Sequence, residues 1–306
     1  MNILITGGAG YIGTELVYAL NASDQVDQIV FYDNLSRNNY NIFLGKSKLD
    51  TSRVRFVKGD ILDSRRLKAE VERADVVFHL AAKVTTPFAD HNPHEFDQVN
   101  NWGTAELVYL IENSDIKKFV YASSLSVYGS SEQVANVDSE LNPKTFYGIS
   151  KMHGEQHVER LIDKATEVYI LRLGNVYGYN KSMRFDSVIN KFMFESNFMN
   201  RIKIFGDGHQ TRSFIHVERL SHLLKNVALR DIEPGTYNVV ENTYSVNDIV
   251  DALQKVYPDL EMTFVNQNMK MRSLNVERDG RIDAFNGMEP DGLIDDLMAF
   301  KERFTF

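Results

Sequence analysis

The first half of the chain alternates short apolar runs with stretches of amphipathic pattern. Runs rich in Val, Ile, Leu, Phe and Tyr predict buried strands at 2–6, 28–32, 53–57, 75–80, 117–122 and 167–173. The stretches between them predict helices at 11–21, 64–73, 94–113 and 147–165. Continuous apolar runs are typical of strands that are buried on both faces. The pattern therefore predicts an α/β fold, with a doubly wound parallel sheet between two layers of helices.

The rhythm changes after about residue 175. The pattern predicts helices at 184–198, 216–229 and 245–257, strands at 202–205, 236–240 and 262–265, a turn at 206–208 and a mixed C-terminal region. We interpret this part as a smaller α/β unit. Since ligands commonly bind between such units, we expect a cleft where the two parts meet.

Composition narrows the functional classes. The chain has 306 residues, of which 43% are hydrophobic and 25% charged, and its net charge of −8 disfavours non-specific nucleic-acid binding. It contains no cysteine, so neither disulfides nor thiolate chemistry is expected. The first apolar run is only as long as a strand, and no run reaches about 18 apolar residues. We expect no signal peptide, no membrane partner and a cytoplasmic location.

A glycine-rich segment, GGAGYIG at 7–13, follows the first predicted strand and opens the first predicted helix. Its glycines fit a dinucleotide-binding fingerprint in two registers, 8-10-13 and 7-10-13. Such glycines let the backbone approach a pyrophosphate, and the helix N-terminus supplies free N–H groups. An ordinary glycine-rich turn is the alternative. We expect the dinucleotide to be bound by Gly7, Gly10, Tyr11, Ile12 and Gly13.

Acidic residues after the second and third strands extend this prediction. Asp33 ends the second strand, where a carboxylate accepts hydrogen bonds from the adenosine ribose and repels a 2′-phosphate. NAD is therefore favoured over NADP, although Arg37 lies close in the sequence. Asp60 and Ile61 follow the third strand and are candidates for adenine contacts. A helix cap is the alternative role for Asp60.

A tyrosine and a lysine stand four residues apart in YGISK, at Tyr147 and Lys151, and so share one face of a predicted helix. The serines of YASSLSVYG (121–129) end the fifth strand, at the sheet edge where ligands bind. A phenol with a pKa of about 10 is a poor base, but a nearby ammonium stabilises the phenolate. We expect Tyr147 to take a hydroxyl proton while hydride leaves the carbon, with Ser124 holding the same oxygen. The alternative is a surface tyrosine beside a solvated lysine.

Together these motifs resemble the extended short-chain dehydrogenase/reductases, in the NAD-dependent epimerase/dehydratase group. The matching segments are GGAGYIG, DNL at 33–35, GDI at 59–61, HLAA at 79–82, Asn100, GT at 103–104, SSLSVYG at 123–129, YGISK, LRLGNVYG at 171–178 and GDGHQTRSFIHV at 206–217. The resemblance implies a Rossmann-type sheet and NAD as the cofactor. It adds to the expected cofactor-binding residues Asn34, Leu80, Ala81, Ala82, Asn100, Ser123, Tyr147 and Lys151.

The resemblance also implies a domain division. Residues 1–175 are expected to form the NAD-binding domain, to which residues 209–240 return. Residues 176–306 are expected to form most of a substrate-binding domain. In this family, helices such as those at 94–113 and 147–165 pair across a two-fold axis, which implies a homodimer. Their apolar stripes could equally belong to an ordinary core.

The segment after Ser124 bears on the reaction. Dehydratases of this group carry an Asp-Glu pair at the positions that match Leu125 and Ser126, and decarboxylases carry a Glu there. Neither Leu125 nor Ser126 can do such proton work at neutral pH. We therefore expect a nucleotide-sugar 4-epimerase of the UDP-glucose/UDP-galactose type. Tightly bound NAD would oxidise C4, a 4-keto sugar would form, and hydride would return to the opposite face.

Two alternatives stay open at this point. An NAD(P)H-dependent nucleotide 4-ketosugar reductase would use the same Ser, Tyr and Lys, but would more commonly carry a phosphate-binding basic residue near Asp33. A non-catalytic NAD-binding regulatory protein is the more remote alternative, which the intact Ser124, Tyr147 and Lys151 disfavour.

Substrate contacts are implied by the same resemblance. Arg212 is expected to hold the diphosphate of a UDP-sugar through a charge-assisted fork. Asn175 would contact the diphosphate or a neighbouring group, unless it is a structural amide, and Ser124 and Ser126 would contact the sugar. Arg272 is the candidate for a second phosphate-binding arginine, with Arg278 or a plain surface role for Arg272 as the alternatives.

Three residues depart from the family pattern and bear on the identity of the sugar. Ser213 stands where an Asp is usual, Gly174 stands where galactose epimerases have a bulky aromatic residue, and Lys83 is one position away from an expected lysine. His153 and His157 have zinc-compatible spacing, but no third ligand is evident. We expect them to form a solvated helix face, and we expect no metal.

Overall fold

The computed structural model describes residues 1–45, 48–84, 92–130, 134–266, 273–282, 285 and 290–305. Its main feature is a seven-stranded parallel sheet formed by β1 (Asn2–Thr6), β2 (Gln28–Asp33), β3 (Val54–Lys58), β4 (Val76–His79), β5 (Lys118–Ser124), β6 (Glu167–Leu173) and β10 (Gly235–Val239). The strand order is β10-β6-β5-β4-β1-β2-β3. All six predicted strands of the first half are present, and the predicted doubly wound fold is confirmed.

Helices cover both faces of this sheet. One face packs against α1 (Tyr11–Asn21) and α7 (Val217–Leu229), and their shared core includes Leu16, Leu20 and Leu224. The other face packs against α2 (Ser64–Val71), α4 (Gly103–Glu112) and α5 (Phe146–Val158). Because each strand sends alternate side chains to opposite faces, continuous apolar runs fill both cores at once.

The predicted helix 94–113 consists of three consecutive parts. It begins as α3 (Pro93–Phe96), continues as a π-helical turn (Asp97–Trp102) and ends as α4. The predicted helix 147–165 is shorter than expected, since α5 ends at Val158 and one 3₁₀ turn (Glu159–Leu161) follows it. Thr145 begins α5 by accepting a hydrogen bond from the Gly148 N–H at 3.0 Å. This cap sets the first turn of α5 and therefore the position of the helix face that carries Tyr147 and Lys151.

The second half forms a smaller core. A three-stranded sheet is formed by β7 (Asn175–Tyr177), β9 (Thr211–His216) and β11 (Asn242–Ser245), in the order β11-β9-β7. A two-stranded sheet is formed by β8 (Arg201–Phe205) and β12 (Glu261–Val265). The helices are α6 (Val188–Met199), α8 (Val246–Val256) and α9 (Leu293–Glu302). Apolar side chains of these helices pack with Tyr177 and Phe214 in one cluster.

The chain crosses between the two cores more than once. β10 joins the large sheet and α7 packs on it, whereas β9 belongs to the three-stranded sheet. Residues 211–239 thus contribute to both cores, and the predicted domain boundaries stay a prediction. Among the described residues, no helix has both the length and the apolar character needed to span a membrane.

Candidate active site

The glycine loop joins β1 to α1 with almost no room for side chains. Gly7 has a φ of 75°, which favours glycine. A Cβ at Gly7 would lie 2.5 Å from the backbone nitrogen of Ala81, and one at Gly13 would lie 2.5 Å from the Gly7 carbonyl oxygen. Gly10, the N-cap of α1, provides no side-chain acceptor for the first N–H groups of the helix. The loop therefore brings Gly7, Gly10 and Gly13 together, with a helix N-terminus that can bind an anion.

Asp33 lies beside this loop at the carboxyl end of β2. Its carboxylate accepts hydrogen bonds from the N–H groups of Ala9, at 3.1 Å, and Leu35, at 2.8 Å. Burial raises the pKa of Asp33, and these two hydrogen bonds lower it. The pKa of Arg37 is lowered by partial burial and by the charge of Arg184. The two arginines are therefore close enough to interact electrostatically.

The residues after β3 form a small polar turn. The Asn34 side-chain amide donates to the Asp60 carboxylate at 2.8 Å, and the same carboxylate accepts the Leu62 N–H at 3.0 Å. Asp63, rather than Asp60, caps α2 by accepting the Arg66 N–H. The helix-cap alternative for Asp60 is therefore wrong. Ile61 is buried in the core under α4, and an adenine contact by Asp60 or Ile61 stays a prediction.

Asn100 fixes the segment that follows β4. Its side-chain oxygen accepts the Lys83 N–H at 2.8 Å, and its amide donates to the Lys83 carbonyl and to the Ser150 hydroxyl, both at 3.0 Å. It lies in the π-helical turn, a distortion that is often found at functional sites. Leu80, Ala81 and Ala82 run between Thr6 and this anchor. The structure thus connects the glycine loop, the end of β4 and α5 through short polar contacts.

The predicted catalytic residues meet at the carboxyl end of β5. Tyr147 and Lys151 are both buried on one face of α5, and Ser124 is hydrogen-bonded to Tyr147. The Lys151 ammonium lies 4.2 Å from the centre of the Tyr121 ring, and Phe96 packs edge-on against Tyr147. A surface tyrosine with a solvated lysine is thereby ruled out. Ser126 lies next to Ser124, with 3.2 Å between their hydroxyl oxygens.

Burial is the largest influence on the pKa values of this cluster. Burial raises the pKa of Tyr147, while the Ser124 hydrogen bond and the positive charge of Arg184 lower it. Burial also lowers the pKa of Lys151, to about 7, so the lysine is only partly charged near neutral pH. Stabilisation of the phenolate by the Lys151 ammonium stays a prediction.

Ser123 and two residues that sequence reasoning missed form a second layer beneath the cluster. The Ser123 hydroxyl donates to the Glu155 carboxylate, which also forms a buried ion pair with Arg172 at 2.9 Å. A cofactor contact by Ser123 stays a prediction. One signal could have revealed Glu155, since it follows Lys151 by four residues and so shares the face of α5 that carries Tyr147 and Lys151.

The predicted substrate residues lie on the three-stranded sheet. Asn175 is exposed on β7, and its amide donates to the Ser213 carbonyl at 3.2 Å. Arg212 lies on the adjacent strand β9, where burial lowers its pKa. The structure thus brings Asn175 and Arg212 to neighbouring strands. Arg272 lies outside the described residues, and the choice between it and Arg278 stays open.

Gly174 and Ser213, two departures from the family pattern, touch each other. A Cβ at Gly174 would lie 3.0 Å from the Ser213 carbonyl oxygen and 3.2 Å from the Val240 side chain. The Ser213 hydroxyl meets that of Thr243 at 2.8 Å. The absent side chain at 174 therefore lets β9 lie close to β7, and both departures belong to the packing of one sheet.

Residues 178–186, which we call the bridging segment, tie the C-terminal part to the cofactor loops. The Tyr11 hydroxyl donates to the Gly178 carbonyl, and the Asn180 amide donates back to the Tyr11 carbonyl at 2.9 Å. The Thr14 hydroxyl donates to Ser182 at 2.9 Å. The side chain of Tyr11 is therefore committed to this segment. Only its backbone N–H is left for the predicted cofactor contact.

The same segment also contacts the loops that follow β2 and β4. Lys181 donates to the Leu44 carbonyl at 2.7 Å, beyond the loop that follows Asp33. Arg184 pairs with Asp186 at 2.6 Å and donates to the Val84 carbonyl, while the Val84 side chain packs against Tyr147. No pattern in the sequence indicated these contacts, because they depend on irregular backbone.

The histidine pair on α5 does not form a metal site with other described residues. His157 is hydrogen-bonded to the Asn101 side chain at 2.8 Å. Across the part of the chain that the structure describes, no group of three or more His, Cys, Asp or Glu side chains is arranged to hold a metal ion.

Known proteins share this sequence pattern and this fold. A family model described as "Epimerase: NAD dependent epimerase/dehydratase family" matches residues 3–239. A dTDP-D-glucose 4,6-dehydratase of Mus musculus is 31% identical over 247 residues, which cover 78% of this chain and 68% of that protein. A UDP-glucose 4-epimerase of Erwinia amylovora is 30% identical over 281 residues, which cover 83% and 82%.

Solved structures share the fold over nearly the whole chain. TunA, an NAD-dependent NDP-hexosamine 5,6-dehydratase involved in tunicamycin biosynthesis, superposes with a TM-score of 0.83 at 26% identity, covering 99% of this chain and 97% of that one. MoeE5 in complex with UDP-glucuronic acid and NAD superposes with a TM-score of 0.83 at 25% identity, covering 99% and 98%.

Proposed function

The chain belongs to the NAD-dependent epimerase/dehydratase family, and from that premise we propose that it is a nucleotide-sugar 4-epimerase of the UDP-glucose/UDP-galactose type. Family membership makes it an enzyme with NAD as its cofactor. The observation that carries the choice of reaction is the surroundings of Ser124 and Tyr147. They hold hydroxyl groups and apolar side chains where a dehydratase needs an acid and a base.

The described residues fit NAD. The glycine loop has no space for side chains, it leads into a helix N-terminus without a side-chain cap, and Asp33 lies beside it. These features would hold the pyrophosphate and the adenosine ribose. When bound, NAD supplies a hydride acceptor at C4 of the sugar and later gives the hydride back.

The chain's own groups would handle the proton at the C4 hydroxyl. Tyr147 would accept this proton and return it at the end of the reaction, and Ser124 would hold the same oxygen through its hydroxyl group. Ser126, 3.2 Å from Ser124, would contact the sugar. Lys151 would donate to the nicotinamide ribose from the same face of α5 as Tyr147. Arg212 and Asn175 would hold the diphosphate from β9 and β7.

Dehydration is disfavoured at the two positions after Ser124. Leu125 is buried in an apolar cluster with Val127 and Tyr128, and Ser126 carries only a hydroxyl group. Removal of water from a sugar needs a proton donor at the leaving hydroxyl and a base at the neighbouring carbon. Neither residue titrates in the range that this requires, so the 4-keto sugar would stay intact until hydride returns.

The reductase alternative is weakened by the position of Arg37. An arginine that binds a 2′-phosphate would lie next to the Asp33 carboxylate. The charges that act on the pKa of Arg37 are instead those of Arg184 and Asp186, in the bridging segment. The relatives include UDP-glucose 4-epimerases, and MoeE5 binds UDP-glucuronic acid, so a UDP-sugar is the proposed substrate class.

The proposed assembly is a homodimer that pairs α4 and α5 across a two-fold axis. Trp102 and Tyr109 lie on the outward face of this region and are 57% and 61% exposed. Large exposed aromatic side chains of this kind are typical of interfaces. Light scattering of the purified protein would measure its mass directly. The cytoplasmic location stays a prediction.

One experiment separates the candidate reactions. The purified protein, with no added cofactor, is offered UDP-, dTDP- and GDP-sugars, while NMR follows the C4 configuration and absorbance follows reduced nicotinamide. We expect C4 epimers to interconvert without net reduced cofactor. Oxidation of added reduced nicotinamide by a 4-keto sugar would support the reductase instead, and loss of water from the sugar would support a dehydratase.

The Tyr147→Phe variant tests the proton step. It removes only the hydroxyl group, so we expect at least about a 100-fold loss of turnover with NAD still bound. Tyr257→Phe is the matched control, because it removes the hydroxyl group of a buried tyrosine in the smaller core, where it donates to Asn197 at 3.2 Å. Near-normal turnover in Tyr147→Phe would show that another group moves the proton.

A further inference from the structure

A buried carboxylate lies on the catalytic face of α5, one turn beyond Lys151. Tyr147, Lys151 and Glu155 follow one another at intervals of four residues, and all three are buried. The face that they share packs against Tyr121 and Ser123, which lie two residues apart on β5 and so point to the same side of the sheet. Tyr121 places its ring 4.2 Å from the Lys151 ammonium and donates its hydroxyl to the Lys151 carbonyl at 3.3 Å.

Glu155 is held rigidly on this side of the helix. Ser123 and Arg172 are register partners on the adjacent strands β5 and β6, so both approach Glu155 from the sheet. Arg172 donates from Nε to Glu155 Oε1 at 3.1 Å and from a terminal nitrogen to Oε2 at 2.9 Å. Glu155 and Arg172 have side-chain exposures of only 1% and 7%. Arg172 is in turn fixed by the Tyr128 hydroxyl at 2.8 Å and by the Val137 carbonyl at 3.0 Å.

The pKa of Lys151 depends on burial and on the charge of Glu155. Burial disfavours the Lys151 ammonium, and the negative charge of Glu155 acts against this effect. His79, on β4, is neutral near pH 7, because burial and the Lys151 charge lower its pKa to about 3. Tyr121 and Tyr147 face the same space, and burial raises the pKa of both phenols, so they too are neutral. Arg172 pairs with Glu155, and the positive charge of Arg184 lowers the pKa of Tyr147.

We propose that Glu155 is a positioning residue of the active site, whose buried carboxylate raises the proton affinity of Lys151 while Arg172 and Ser123 hold that carboxylate in place. This inference rests on the proposed function at one point, the binding of the nicotinamide ribose by Lys151. A neutral lysine is a weaker donor, and it gives no positive charge to the site. Glu155 thereby extends the pH range in which the site works.

The proposal can be tested without turnover. Protein labelled with [ε-¹³C]lysine, purified with whatever cofactor it retains, is titrated by NMR, and Lys151→Arg identifies the Lys151 signal. We expect Lys151 to titrate near pH 7 and Glu155→Gln to lower this midpoint by about one pH unit. In the epimerase assay, the activity of the variant would then fall at a correspondingly lower pH on the alkaline side.

Two further variants separate this effect from structural damage. Glu241→Gln is the matched control, because Glu241 forms an equally buried, two-pronged pair with Arg219, and both side chains are 3% exposed. It should leave the Lys151 midpoint unchanged. The double variant Glu155→Gln/Arg172→Met removes both charges and leaves no unpaired buried cation. It should also lower the Lys151 midpoint. If the single variant does not fold, the midpoint of the double variant tests the proposal.

The outcomes are distinct. A midpoint in folded Glu155→Gln or in the double variant within about 0.3 pH units of the wild-type value would overturn the proposal, since removing a nearby charge should shift it further. A lowered Lys151 midpoint in Glu241→Gln would also overturn the proposal, because it would show that the loss of another buried ion pair has the same effect. A lowered Lys151 midpoint in a protein that epimerises no sugar would support the proposal and refute the proposed function.

Discussion

Tyr147 shows how several neighbours together set the proton affinity of one side chain. Burial makes its phenolate unfavourable, so the hydroxyl group needs compensation before it can act as a base near neutral pH. Ser124 provides a hydrogen bond from the end of β5, and Arg184 provides a positive charge from the bridging segment. The base therefore depends on three distant parts of the sequence.

Replacing Arg184 with glutamine tests the contribution of its charge. Without it the Tyr147 pKa should rise, and because the phenolate is the active form, the acid limb of kcat/KM should move to higher pH by about half a unit. The measurement is the pH dependence of C4 epimerisation in the variant and in wild type.

Two companion variants make this result specific. Arg184→Lys keeps the charge and should restore most of the wild-type profile. Arg37→Gln removes the neighbouring cation, which does not act on Tyr147, and should leave the acid limb in place. An unmoved limb in Arg184→Gln would contradict the assignment.

At this scale the sequence predicted residues that lie in repeating patterns. The spacing of Tyr147 and Lys151 on one helix, and the glycines between a strand and a helix, translate directly into neighbours in space. Arg184 could not be predicted in this way, because it reaches Tyr147 through a loop and through the packing of Val84. The low proton affinity of Lys151 was also missed, since burial is not visible in a spacing.

At the scale of elements, strands that contain an apolar run were predicted, and two polar strands of the three-stranded sheet were missed. β5 and β6 are continuous apolar runs, whereas β9 (Thr211–His216) and β11 (Asn242–Ser245) carry Thr, Arg, Ser and Asn. These polar strands are stable because they pair with each other and bury Phe214 in the smaller core. Tertiary contacts, which a local pattern does not contain, determine their structure.

The bridging segment leads to a prediction about cofactor retention. Asn180 is buried, donates to the Tyr11 carbonyl at 2.9 Å and accepts the Ser182 N–H at 2.5 Å. Asn180→Ala removes both hydrogen bonds, each worth about 1 kcal/mol, and loosens the connection between the segment and the glycine loop. We expect bound NAD to exchange with labelled NAD about ten times faster than in wild type.

A matched control is available in α7. Asn226 is equally buried, but its amide donates to the Phe285 carbonyl on the outer side of the large core. Asn226→Ala should cost similar stability and leave the NAD exchange rate unchanged. Equal exchange rates in Asn180→Ala and wild type would mean that the bridging segment does not limit the release of NAD.

At the scale of the whole molecule, one buried arginine joins three elements. Arg219, on α7, pairs with Glu241 at 2.6 Å, just before β11, and with Asp296 at 2.7 Å, on the C-terminal helix α9. Tyr177, on β7, donates its hydroxyl to Asp296. Since α7 packs on the large sheet and α9 packs in the smaller core, this network connects the two cores.

Asp296→Asn should reveal how strongly this connection stabilises the chain. It leaves Arg219 with one buried carboxylate instead of two, and breaking such a pair costs about 3 kcal/mol. We expect the midpoint of urea unfolding to fall accordingly. The adjacent Asp295→Asn is the control, because that side chain is exposed and its replacement should change stability by less than about 0.5 kcal/mol. Equal midpoints for the two variants would show that α9 is held by apolar packing alone, through Leu297 and Phe300.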